Sequence, residues 1–182
     1  MNALKAIFLD ELATRLDSER QQVGGLTSIA IAATCPHLRQ LLLAHQGETV
    51  GHVEKLERVF KAVGEEARAT LCEITAWHLQ ACERTAAEQQ GSPGLNAALI
   101  ACAQKIEHQE IASYGCLREW AVLLGSAEAA GLLEEVLDHE KTASQALSDL
   151  ARFRCNPEAL AEVERTFTTS DRFGHEIVKY AA

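Results

Sequence analysis

The three prolines of this chain stand at positions 36, 93 and 157, and the segments between them are unusually long. Proline lacks a backbone N–H and clashes with the preceding turn, so long proline-free stretches favour long helices. Gly64, Gly125 and the cluster Gly91-Ser92-Pro93-Gly94 supply the other stops. This punctuation predicts helices over about residues 3–33, 36–63, 70–90, 95–124 and 126–153, the last capped by Ser126. Pro157 is expected to open a further helix, and Ser170-Asp171 to cap a short one ending at Ala182. Aromatic residues make up only 5%, while Leu, Ala, Glu and Gln are plentiful. An all-α chain follows, and an all-β one does not.

Four of the helices are long. The first and second meet at Thr34-Cys35-Pro36, and the third and fourth at Gly125. Turns this short join antiparallel neighbours. The connection between the hairpins is long and carries its own helix. Two antiparallel hairpins with one long helical crossover make the topology of a ferritin-like four-helix bundle, although length alone also allows other bundles. Residues 1–155 are taken as the bundle and 156–182 as a C-terminal helical extension with extra helices.

In a bundle, the apolar seam of each helix recurs every three or four residues. The first seam reads Phe8, Leu12, Leu16, Glu19, Val23, Leu26, Ala30. The second reads Leu38, Leu41, His45, Glu48, His52, Leu56, Val59, Val63. The third reads Leu99, Ala103, Ile106, Glu110, Tyr114, Leu117, and the fourth Leu133, Val136, Glu140, Ala143, Leu147, Leu150. Each is interrupted by one acid near its middle. A helix rises about 1.5 Å per residue, which puts Glu19, Glu48, Glu110 and Glu140 roughly 20–24 Å from their turns. All four fall at one level of the bundle.

Buried together, four carboxylates would repel one another and lose their water, at several kcal/mol for each uncompensated ion. No Lys or Arg is expected in the seam at this level; Arg20, Lys105 and Lys141 flank it. Two divalent cations would neutralise all four and satisfy their oxygens. Any single Glu is explained as well by a seam one position off, but four at one depth favour metal. Glu107 lies three residues before Glu110 and can point to the same site. The metal ligands expected are therefore Glu19, Glu48, His52, Glu107, Glu110 and Glu140. His45, His108, Tyr114 and His139 are alternative ligands or supporting partners; His52 and His45 are also readable as packed imidazoles, Tyr114 more simply as a core tyrosine, and His108 and His139 as surface side chains. His37, His78 and His175 lie outside this layer. The metal is expected to be iron, with manganese or zinc left open.

The formal charge is −9 with no basic block, which argues against nucleic acid and anionic membrane surfaces as partners. No run of about 18 apolar residues is present, and the first residues lack a signal-peptide pattern. The six cysteines form no C-x-x-C pair and are read as buried thiols of a reducing cytoplasm.

The stretches FLDELATRLDSERQ, LAHQGETVGHVEKLERVF, AALIACAQKIEHQEIASYG and LLEEVLDHEKTASQALSDLA resemble the YciF/YciE branch of ferritin-like stress proteins. The resemblance covers roughly residues 4–151. It implies a ferritin-like bundle similar to rubrerythrin, a homodimer, and ligands at Glu19, Glu48, Glu107, Glu110 and Glu140. The wider superfamily carries Glu-x-x-His on the second and fourth helices. Here Gly51 and Ala143 occupy the histidine positions, His52 is the substitute on the second helix, and Gly47 stands where the branch more often has an acid.

The expected function is a cytoplasmic stress-associated protein holding a dinuclear metal centre. If it is an enzyme, the chemistry is oxidation of Fe(II) by O2 or peroxide, or peroxide reduction, with Glu48 and Glu140 bridging. The alternatives are a non-catalytic metal-binding or structural protein, and a helical interaction module with vestigial acids.

Overall fold

The structure, a computed structural model, describes residues 2–161; the Ser170-Asp171 cap and His175 lie outside them. Five helices form in order: α1 (Ala3–Ala32), α2 (Pro36–Ala62), α3 (Glu73–Glu88), α4 (Leu95–Leu123) and α5 (Ala127–Leu150). There is no strand among the described residues. The fold is the all-α bundle expected, with α1, α2, α4 and α5 as its four long helices.

Local chemistry explains the boundaries. Pro36 opens α2, where its missing N–H costs nothing. Gly125 turns the chain between α4 and α5 with a φ of 78°, a left-handed conformation that a side chain disfavours. Ser126 then caps α5, its hydroxyl accepting from the Ala129 N–H. Asn96, near the start of α4, accepts from the N–H groups of Thr34 and Cys35, both at 3.0 Å. That clamp places the beginning of α4 beside the α1–α2 corner, so α4 runs antiparallel to α1.

The crossover returns along α1. Lys5 pairs with Glu65 at 2.7 Å and Arg68 with Asp10 at 2.8 Å. The Thr70 N–H bonds the Ala13 carbonyl at 3.0 Å, and the Cys72 N–H bonds Asp17 at 2.8 Å. These bonds spend the backbone donors of Thr70 and Cys72 on α1. Helix α3 therefore starts at Glu73, not at Thr70 as the sequence suggested. It approaches α1 closely at Gly25, where an added Cβ would lie 2.3 Å from Leu79 Cδ2.

The end of α5 also differs from expectation. Proline did not open a separate helix. A π-helical turn over Ala151–Cys155 carries the chain onward, with Asn156 N–H bonded to the Ala151 carbonyl, and the helix continues through residue 161. A π turn leaves a carbonyl without its usual donor, which is the condition Pro157 requires.

Two apolar clusters fill the bundle. One contains Phe8, Leu12, Leu16, Leu56, Tyr114, Leu117 and Leu133. The other contains Leu26, Ile29, Leu38, Leu42, Leu99, Ile106 and Leu147. Five cysteines are buried, as read from the sequence, but Cys116 is exposed. No helix among the described residues is long and apolar enough to cross a membrane.

Candidate metal centre

A layer of buried polar side chains lies between the two apolar clusters. Glu19, His52, Glu107, Glu110 and Glu140 are 0% exposed, and His45 is 4% exposed. Each comes from a heptad-like inward position. On α4, Glu107, Glu110 and Tyr114 share one face at spacings of three and four.

The geometry resolves into two clusters. Glu19, His52 and Glu140 bring one donor each within 4.8 Å of the others, and so do His45, Glu107 and Glu140. His52 Nδ1 lies 3.0 Å from Glu140 Oε1 and 3.5 Å from Glu19 Oε2. His45 Nε2 lies 3.3 Å from Glu140 Oε2 and 3.4 Å from Glu107 Oε1. The two oxygens of Glu140 thus face different clusters.

Most of these donors have no well-directed hydrogen bond. Glu19 Oε2, both oxygens of Glu107, Glu110 Oε2, both oxygens of Glu140, His45 Nε2 and His52 Nδ1 are buried and unpartnered. Such groups cost about 1–3 kcal/mol each, more when charged. Their protonation responds accordingly. Burial, reinforced by the charges of Glu140 and Glu19 and opposed by His45, raises Glu107 to about 8. Burial also raises Glu110 and Glu140. Burial alone would lower His52, but Glu140 and Glu19 overcome it and raise it to about 10. Oxygen and imidazole donors converging in two groups, with four buried carboxylates to neutralise, fit a pair of divalent cations.

The outer contacts hold the carboxylates in place. Tyr114 donates its hydroxyl to Glu19 Oε1. Ser18 donates to Glu110 Oε1 at 3.3 Å, and Gln22 donates to the same oxygen. Ser18 also shares a 2.7 Å hydrogen bond with Thr75 of α3.

A family described as a domain of unknown function (DUF892) matches residues 3–160. The chain belongs to the DUF892 family. It is 32% identical over 160 residues to Protein YciF of Escherichia coli K12, covering 87% of this chain and 96% of that protein. The crystal structure of the E. coli stress protein YciF superposes with a TM-score of 0.81, covering 86% of this chain and 99% of that one. YcfI of Rhodopseudomonas palustris, also 32% identical, gives 0.78 over 81% and 94%. A Xanthomonas campestris protein at 17% identity shares the fold, with a TM-score of 0.67 over 91% and 99%.

In this DUF892 chain the expected residues divide into two groups. Glu19, His52, Glu107, Glu110 and Glu140 meet in the core, joined by His45, and Tyr114 supports them. Glu48 does not enter the layer. Its side chain is 49% exposed and bonds His45 Nδ1 at 3.3 Å from the rim. The buried face of α2 reads Leu38, Leu42, His45, Thr49, His52, Leu56, Val59. Thr49 therefore takes the place assigned to Glu48, and Leu42 the place assigned to Leu41. Counted from Thr49, the histidine of a Glu-x-x-His pair falls on His52 and not on Gly51. His139 sits at the rim, 3.1 Å from His52 Nε2. His108 is a surface residue bonded to the Gln104 carbonyl at 2.9 Å.

Several contributors were missed. Gln22 is buried where the α1 seam was read through Val23. Arg15 is 2% exposed, against the expectation of no buried cation nearby; its guanidinium bonds Cys72 Sγ at 3.1 Å and opposes the rise in Glu110. The crossover supplies both Cys72 and Thr75. The spacing of Arg15, Ser18 and Gln22 along α1 was the available signal, since they follow one another at three and four residues and Arg15 and Gln22 lie one turn either side of Glu19.

Proposed function

We propose that this protein is a stress-associated ferritin-like protein whose core binds two metal ions, iron foremost. The observation that carries this is Glu140, whose two oxygens serve two separate buried clusters of oxygen and imidazole donors. Glu19 and His52 complete one ion's donor set, and His45 and Glu107 the other's. Glu110, held by Ser18 and Gln22, stands ready as a further carboxylate. The E. coli relative is described as a stress protein, which accords with this reading.

An iron pair would supply the electrons for reducing O2 or a peroxide, with Fe(II) oxidised in turn. The chain's own contribution is arrangement. The apolar clusters on either side exclude bulk water, and Tyr114 orients Glu19. A second reading, metal binding without turnover, is favoured by two particular residues. Thr49 stands where a second-helix acid would lie, and Ala143 where a fourth-helix histidine would. We further propose a homodimer in the cytoplasm.

Elemental analysis of untagged protein tests the proposal. The wild type should retain about two iron or manganese per chain, and Glu140→Ala should lose both. Failure of the wild type to hold metal after anaerobic Fe(II) addition would reject it. Peroxide and O2 consumption by loaded protein then separates the two readings.

A further inference from the structure

We propose that the α2–α5 face carries an outer cation site, built from Glu48 and His139, that passes divalent metal to the buried centre. The inference rests on the dinuclear reading above and concerns how metal reaches it.

Each buried histidine of α2 uses its two ring nitrogens in opposite directions. His45 turns Nε2 inward to Glu107 and Glu140, while Nδ1 meets the half-exposed Glu48 at 3.3 Å. His52 turns Nδ1 inward to Glu140 and Glu19, while Nε2 meets the partly buried His139 at 3.1 Å. Both contacts lead outward on the α2–α5 face. A carboxylate and an imidazole thus stand at the rim, the same donor types as inside. Lys55 of α2 is paired with Glu135 of α5 at 3.0 Å.

Three other directions are closed. Apolar clusters lie above and below the layer. Toward α3, Arg15, Ser18, Gln22, Thr75 and Cys72 form a buried hydrogen-bonded wall. A hydrated cation cannot cross apolar packing without losing its water uncompensated, so it must exchange water for protein donors along a polar route. On the α2–α5 face, Glu48 and His139 provide such a route. The competing explanation is that these two side chains only orient the imidazoles behind them. Orientation alone would change affinity without changing the rate of capture.

The test is stopped-flow loading of chelator-stripped protein with Co(II), followed by its visible absorption, alongside equilibrium titration. The variants are Glu48→Gln, Glu48→Lys and His139→Asn. Glu48→Gln should slow second-order loading about tenfold and Glu48→Lys more, with final stoichiometry unchanged. Raising ionic strength should slow the wild type more than Glu48→Gln. Unchanged loading rates, or weaker affinity with unchanged capture, would overturn the proposal. A wild type that takes up no Co(II) would reject the dinuclear centre itself, and this inference with it.

Discussion

Tyr114 of α4 donates its hydroxyl to Oε1 of Glu19 on α1, and both side chains are completely buried. The bond ties together two helices that run antiparallel through the polar layer. It also leaves Glu19 Oε2 free to face His52. Tyr114→Phe keeps the ring and removes the donor. The variant should lose about 1–3 kcal/mol of stability in the metal-free protein, because a buried carboxylate oxygen is stranded. Urea denaturation with a chelator present measures this; a loss under about 0.5 kcal/mol would show that the hydroxyl is dispensable.

The protonation of the layer sets the response to pH. Glu107 titrates near 8 in the folded chain against an ordinary 4.5, and His52 near 10 against 6.5. Both groups hold protons more tightly when folded, so stability falls as pH rises. The Glu107 contribution is lost between about pH 4.5 and 8, and that of His52 between about 6.5 and 10. Denaturation midpoints of stripped protein should therefore decline from pH 6 to pH 10. Saturating Mn(II) should offset much of the decline, since cations take the place of the protons. A metal-free midpoint that holds level or climbs across this range contradicts the assignment.

Thr49 offers a gain-of-function experiment. It lies on the buried face of α2 between His45 and His52, with its hydroxyl bonded to the His45 carbonyl at 3.0 Å. Thr49→Glu should place a carboxylate in the layer and tighten Mn(II) binding about tenfold or more. The metal-free variant should be less stable than the wild type, because another buried charge is added. Calorimetric titration reads the affinity, and an unchanged or weaker constant would show that residue 49 does not reach the ions.

The thiols should divide by burial. Cys116 is exposed, and Cys35, Cys72, Cys82, Cys102 and Cys155 are buried. A thiol-specific chromogenic reagent should modify about one cysteine per folded chain, and all after denaturation. Cys116→Ser should abolish the fast phase; its persistence would place the reactive thiol elsewhere.

Long proline-free segments, glycine stops and apolar periodicity were enough to establish the helices, the two hairpins and the depth at which Glu19, Glu107, Glu110 and Glu140 meet. Those features are local: helix punctuation and residue spacing act within one segment of chain. The α2 register was less legible, because a seam can step by three or four and both His45–Glu48 and His45–Thr49 are permitted. The unbroken alternation of four and three from Leu38 to Val59 selects Thr49, and the path through Glu48 breaks that alternation. What only the tertiary structure decided was the company each side chain keeps. Burial of Arg15 against Cys72 and the Thr75–Ser18–Glu110 contacts depend on which helices lie beside one another. A crossover far away in sequence supplies some of those partners, and no spacing within a single helix specifies them.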